Sequence, residues 1–221
     1  MTRLTLAGGP RAEDVRRIAV VSAGLSDPSS TRLLADLLGE ATRAALVAAG
    51  REVEVELIEL RPLAHGITDA LLTGFPTGDL AAAVETVAAA DAVIAVTPVF
   101  SASYSGLFKT FFDVLEEGTV EGKPVLIAAT AGTARHSLVL DHALRPMFGY
   151  LRAVVVPTGV FAASEDWAST SGGSNGVEGE LRTRVDRAAG ELADLAAARP
   201  ALHRVDPFGD VPDFSTLLGG A

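Results

Sequence analysis

Asp91-Ala92-Val93-Ile94-Ala95-Val96-Thr97-Pro98-Val99-Phe100-Ser101-Ala102-Ser103-Tyr104-Ser105-Gly106-Leu107-Phe108-Lys109 is the stretch that decides the fold. Its first six residues read as a strand buried on both faces. Its middle reads as a short polar loop, and its end opens an amphipathic helix over about Ser105–Glu117. A strand that runs out in Thr-Pro above such a loop is how an open α/β sheet builds a crevice, and ligands bind at the carboxyl ends of those strands.

Working outward, Ile18–Val21 is a short β-branched run, and Asp27–Thr31 supplies cap and turn residues for a helix over Arg32–Ala49, with Gly50 as its stop. Glu52–Ile58 alternates charge and apolar, as a half-buried or edge strand does. A weaker helical turn follows at Leu63–Leu72, and Asp79 is placed to cap a helix over Leu80–Ala90. Downstream of Lys123-Pro124, Val125–Ala129 is a second buried strand. A helix over His136–Leu151 should kink or end early at Pro146. Ala153–Val156 is the last expected strand, Ser164–Gly179 a Ser/Gly-rich stretch expected to be mobile, and Glu180–Ala198 the final helix.

Apolar strands alternating with helices specify a parallel sheet covered on both faces. The expected fold is a flavodoxin-like three-layer α/β sandwich with a five-stranded parallel sheet in the order 2-1-3-4-5, where FMN lies at the switch point between the first and third strands. Residues 1–17 are expected to form an arm, 18–198 the domain, and 199–221 a tail.

Composition limits the function classes. A formal charge of −10 opposes a nucleic-acid partner, which needs a clustered basic surface. With no cysteine there is no disulfide, thiolate metal site or cysteine nucleophile. Met1–Arg17 lacks the apolar core of a signal peptide, and Leu80–Val99 is interrupted by Glu85 and Asp91, so a soluble cytoplasmic protein with no membrane partner is expected.

Three loops carry the candidate chemistry. In Ser22–Thr31, hydroxyls and free N–H groups at a helix N-terminus suit a phosphate dianion, although a plain helix cap accounts for the same residues. In Thr97–Tyr104, Pro98 fixes the backbone while Phe100 and Tyr104 are placed to flank a planar ring; a crossover loop whose aromatics face the core or a subunit interface is the alternative. In Ala129–His136, Gly132 permits close approach, Thr133 offers a hydroxyl, and Arg135 and His136 offer donors to an anion, with a helix N-cap at Thr133 and two solvated side chains as the alternative. All three loops follow strands that a doubly wound sheet sets side by side.

Thr97-Pro98-Val99-Phe100, Tyr104–Lys109, Thr130-Ala131-Gly132-Thr133, His142-Ala143-Leu144-Arg145-Pro146 and Gly159-Val160-Phe161 form an ordered set that resembles the NAD(P)H-dependent FMN reductase family. Within it, the chain is most similar to flavin reductases that supply two-component monooxygenases, over about Ile18–Phe161. The resemblance implies FMN as cofactor, NAD(P)H as hydride donor, and a homodimer or homotetramer with flavin sites near the subunit interface. It implies that Ser22, Ser29, Ser30 and Thr31 form the phosphate loop. Pro98, Val99, Phe100 and Ser101, with Tyr104, would contact the ring or ribityl chain, and Thr130, Gly132 and Thr133 would line the far edge. Relatives commonly carry Tyr at the Phe100 position, and often a basic residue where Ser26 stands, which leaves Arg32 or backbone donors to balance the phosphate.

Hydride transfer needs no side-chain acid or base, so no catalytic residue is nominated; Arg135 and Lys109 are the candidates to attract dinucleotide phosphates. An enzyme that retains FMN and reduces a quinone, azo dye or metal oxyanion is the alternative, as is a flavodoxin-type electron carrier. Gly172-Gly173-Ser174-Asn175-Gly176 matches the hydrolase G-x-S-x-G string without its leading strand. His136 and His142, six apart on a helix, point apart, and no metal is expected. Phe108, Phe111 and Phe112 form a stripe read as core, with an extension into a homodimer interface as the further reading.

Overall fold

The computed structural model describes residues 15–168 and 177–200. The central parallel sheet is built on β1 (Val15–Ser22), β2 (Glu52–Glu59), β3 (Ala92–Phe100) and β5 (Pro124–Ala131), in the order β2-β1-β3-β5. The fifth position is shared by two short strands. β6 (Val154–Val155) pairs with the start of β5, and β7 (Val160–Ala163) pairs with its end. A two-residue β4 (Ser103–Tyr104) folds back antiparallel on β3. The expected strand order therefore holds, with seven strands in place of five.

Alternation sorts the buried strands into two cores. Ala19, Val21, Val93, Ala95 and Ile127 face one layer, packed by α2 (Leu60–Thr73), α3 (Gly78–Ala89), α4 (Gly106–Asp113) and α5 (Arg145–Tyr150). Ile18, Val20, Ile94, Val96 and Leu126 face the other, packed by α1 (Ser30–Ala48) and α7 (Val177–Ala197). Phe108, Phe111 and Phe148 are fully buried, each worth about 1.5–3 kcal/mol of burial. The aromatic stripe of α4 is thus consumed inside the protomer, and Phe108, Phe111 and Phe112 offer nothing to a subunit interface.

Several elements differ from expectation for identifiable reasons. β1 starts at Val15, three residues earlier than expected, because Arg16 is buried and tied down: its Nε donates to the Ala196 carbonyl and its Nη2 to that of Arg199, each at 3.0 Å. The weak turn at Leu63–Leu72 is a full helix, α2. α3 begins at Gly78 with Thr77 as N-cap, so Asp79 sits inside the first turn. α4 closes at Asp113, before the expected Glu117. The helix expected over His136–Leu151 is three pieces: a 3-10 turn at Ala134–His136, a π-helical turn at Leu140–Leu144, and α5. Pro146 has no N–H for the His142 carbonyl, and the turn ahead of it widens so that the Arg145 N–H reaches Leu140.

The break between β6 and β7 falls at Pro157, which has no donor for a ladder. Arg145 covers it, donating to the carbonyls of Val156 (3.1 Å) and Pro157 (3.0 Å). Ser164–Ala168 forms a short helix, α6, where a mobile stretch was expected, and α7 opens at Val177. The G-x-S-x-G string lies outside the described residues, as do residues 1–14 and 201–221.

Candidate functional site

The first loop leads from β1 into α1. Ser29 is the N-cap, extended at φ −120°, and its hydroxyl accepts the Arg32 N–H at 3.2 Å. The Ser29 carbonyl takes the Leu33 N–H at 3.0 Å. The amides of Ser30 and Thr31 lie in the first turn, where no intrahelical acceptor reaches them, at the positive end of the macrodipole; Ser30 is exposed and Thr31 buried. Gly24 closes the cradle: a β-carbon there would stand 2.2 Å from the Ser29 hydroxyl and 3.3 Å from the Thr31 β-carbon. Ser22 is buried in the ladder beneath the loop, between Glu59 and Val96. Arg32 is committed elsewhere, with Nε 2.9 Å from Asp36 and Nη1 2.7 Å from Glu59. The Asp36 hydrogen bond is the main force holding its guanidinium above its ordinary pKa, with Glu59 adding to it. Two of the Arg32 nitrogens are thus engaged by carboxylates, beside the backbone N–H groups and hydroxyls of the loop.

The second loop is a tight hairpin. β3 continues past Pro98 to Phe100, and Ser101 and Ala102 turn the chain with φ of 48° and 64°. Val99 then faces Tyr104 and Phe100 faces Ser103. Two consecutive left-handed residues are the mark of a type I′ turn. Thr97, fully buried, anchors the base by accepting the Ser105 N–H at 3.0 Å, and Ser105 caps α4 through the Phe108 N–H at 3.1 Å. Pro98 and Val99 are half-buried, whereas Phe100 and Ser101 stand exposed at the tip. Tyr104 turns inward, its ring 6.0 Å from that of Phe108.

The third loop continues β5, where Pro98 lies opposite Thr130. Thr130 is buried, and its hydroxyl meets that of Thr31 at 2.7 Å. This contact ties the first loop to the third across the end of β3. Gly132, Thr133 and Arg135 are exposed, and Thr133 caps the 3-10 turn through the Arg135 N–H at 3.2 Å. Lys109 is paired with Asp113 at 2.5 Å, while the Arg135 side chain has no ion pair among the described residues.

The structure therefore gathers Ser29, Ser30, Thr31, Pro98 and Thr130 at adjoining strand ends, leaves Ser22 below them and directs Tyr104 to the core. Gly24 and Thr97 shape the site and were missed as site residues. A glycine six residues before the helix and a threonine before a proline are weak signals alone, because the first needs the loop path and the second its partner Ser105.

Sheet order and loop convergence at the β1/β3 switch point define a flavodoxin-like α/β protein. The chain belongs to the NADPH-dependent FMN reductase family, whose family model matches residues 16–168. It is 33% identical over 175 residues to an FMN reductase (NADPH) of Pseudomonas aeruginosa, covering 78% of this chain and 90% of that protein. It is 35% identical over 173 residues to the NADH-dependent FMN reductase SfnF of Pseudomonas fluorescens, covering 78% and 90%. A solved oxidoreductase from Corynebacterium diphtheriae superimposes with a TM-score of 0.79 at 49% identity, covering 84% of this chain and 99% of that one. The protein is an NAD(P)H:FMN oxidoreductase of that family, and FMN and NAD(P)H are its cofactors. The residues present fit FMN, since the loop packs the Ser29 and Thr31 side chains against Gly24, where no β-carbon could stand, and sets them at the N-terminus of α1. No helix among the described residues is long and apolar enough to cross a membrane.

Proposed function

We propose that the phosphate of FMN is held at the α1 N-terminus by the amides of Ser30 and Thr31 and the hydroxyls of Ser29 and Ser30. The ring then lies along Pro98, Val99, Phe100 and Ser101, with Gly132 and Thr133 at its far edge. Bound there, the flavin supplies the hydride-accepting ring. The chain's own part is binding and orientation: the half-buried Pro98 and Val99 support one face, and the exposed loops leave the other to the nicotinamide. Arg135 attracts the dinucleotide phosphates.

One observation carries the reading further. At the phosphate end Thr31 is buried, Ser29 half-buried and Ser30 exposed; at the ring end Pro98 and Val99 are half-buried while Phe100, Ser101, Gly132 and Thr133 are exposed. A flavin gripped by its tail with its ring open exchanges readily, which suits an enzyme that hands reduced FMN to a partner monooxygenase. The same reading places it in the cytoplasm as a homodimer or homotetramer, with exposed Leu71, Leu72 and Phe75 at the end of α2 as apolar surface for association.

The test is titration of the apoprotein with FMN, FAD and riboflavin, then anaerobic stopped-flow reduction with NADH and NADPH. Micromolar, exchangeable FMN and transfer of reduced flavin to an added flavin-dependent monooxygenase are expected. FMN that stays bound through purification and passes electrons only to quinones, azo dyes or metal oxyanions would replace this reading with the retaining enzyme. Bound flavin that neither nicotinamide bleaches would point to an electron carrier.

A further inference from the structure

We infer that Thr130 is a positioning residue for the FMN phosphate, acting through Thr31 and not at the ring edge. The inference rests on the phosphate-loop reading above. Thr31 and Thr130 are both nearly inaccessible, 2% and 3% exposed, and their hydroxyl oxygens are 2.7 Å apart, a normal O–H···O separation. Two hydroxyls carry two donor protons, and this contact uses one of them. The other has no acceptor among the described residues. A spare donor buried in the first turn of a 19-residue helix, beside unbonded amides and the positive end of the macrodipole, calls for an anionic acceptor.

The assignment of protons follows from position. Thr31 lies in the first turn of α1, at the end where an anion would sit, so its hydroxyl is assigned the second proton. Thr130 lies on β5 beneath it. With phosphate bound, Thr130 donates to Thr31, and Thr31 donates to a phosphate oxygen. Each hydroxyl then gives its single proton once. A donor whose own oxygen accepts a hydrogen bond is polarised and binds an anion more strongly. Thr130 fixes which way the Thr31 proton points and ties the phosphate cradle to the loop that follows β5.

The experiment compares FMN with riboflavin, which lacks only the phosphate, by equilibrium titration of apoproteins. Thr31→Val should weaken FMN about tenfold or more and leave riboflavin within about twofold, as expected for a lost charge-assisted hydrogen bond. Thr130→Val should weaken FMN about three- to tenfold with the same sparing of riboflavin. The double variant should be no worse than Thr31→Val, since the two residues act as one chain. Thr130→Ser should restore the wild-type ratio. Loss of both ligands in parallel, an unchanged ratio, or additive single effects would each overturn the inference. Thr130→Ala gives the same reading should the Val variant not fold. Ser29→Ala/Ser30→Ala tests the underlying site separately: a lowered FMN-to-riboflavin ratio there with none at Thr130 removes only the relay, and no change there removes the phosphate site itself.

Discussion

Gly24 lies so close to Ser29 that a β-carbon on it would stand 2.2 Å from the Ser29 hydroxyl oxygen and 3.2 Å from the Ser29 β-carbon. The hydroxyl can rotate away, but it then gives up the Arg32 N–H that it accepts as N-cap of α1. Gly24→Ala should therefore cost about 1 kcal/mol of stability, the worth of one lost cap, and weaken FMN several-fold. Ser29→Ala should reproduce the stability loss in urea unfolding. An alanine at residue 24 that leaves both stability and affinity untouched would show that the cradle is not closed as described.

The hairpin beyond β3 offers a second test. Ser101 and Ala102 both occupy left-handed backbone, at φ 48° and 64°, where a side chain is disfavoured. Ala102→Gly puts at the second turn position the residue a type I′ turn prefers and should raise unfolding free energy by about 1 kcal/mol. Ser101 and Phe100 are untouched in that variant, so FMN affinity should stay within about twofold. A destabilised variant would mean that the turn is held by contacts other than its own backbone.

The sheet was legible because β1, β3 and β5 each contain a continuous apolar run, Ile18–Val21 in β1, that a doubly covered parallel sheet accommodates. Its fifth position was half legible. Ala153–Val156 reads as a strand, but Val160–Ala163 is a four-residue run behind Pro157 and Gly159, and its pairing depends on Arg145 bridging the gap. The π-helical turn at Leu140–Leu144 was hidden for another reason, since periodicity does not distinguish it from the α-helix it interrupts. At the site, helix caps such as Ser29 and Ser105 follow from local sequence. The Thr31–Thr130 contact joins residues 99 apart and exists only once β3 and β5 are paired, so no local pattern carries it.

Charge around the crevice distinguishes Arg135 from its neighbours. Arg32 is held by Asp36 and Glu59, Lys109 by Asp113 and Arg145 by Asp141, while Arg135 has no carboxylate partner among the described residues. On a chain of formal charge −10 it is the cation left to offset repulsion of a dinucleotide. Arg135→Ala should raise KM for NADPH about two- to fivefold with kcat little changed, since an exposed ionic contact contributes no more than about 1 kcal/mol. The effect should shrink with added salt, and Lys109→Ala should move KM less. A fall in kcat at unchanged KM would place Arg135 elsewhere in the reaction.

Lys123 gives the pH dependence of the fold. It is buried at the start of β5, and its Nζ donates to the carbonyls of Val87 (2.7 Å) and Ala88 (2.9 Å) at the end of α3. Burial lowers its pKa to about 8 from 10.5, against a smaller upward pull from Asp91. Below about pH 8 the ammonium is present in both folded and unfolded chains, and the cost of burying it is borne in full. Between about 8 and 10.5 the unfolded chain binds the proton and the folded one releases it, so this group makes stability rise with pH. The unfolding free energy of the wild type minus that of Lys123→Met should therefore climb by on the order of 1–2 kcal/mol from neutral pH to the upper end of that window. Subtracting the variant cancels the contributions common to both chains. A flat difference would mean that the α3 carbonyls hold the ammonium strongly enough to cancel the cost of burial, and a falling one would reverse the sign of the shift.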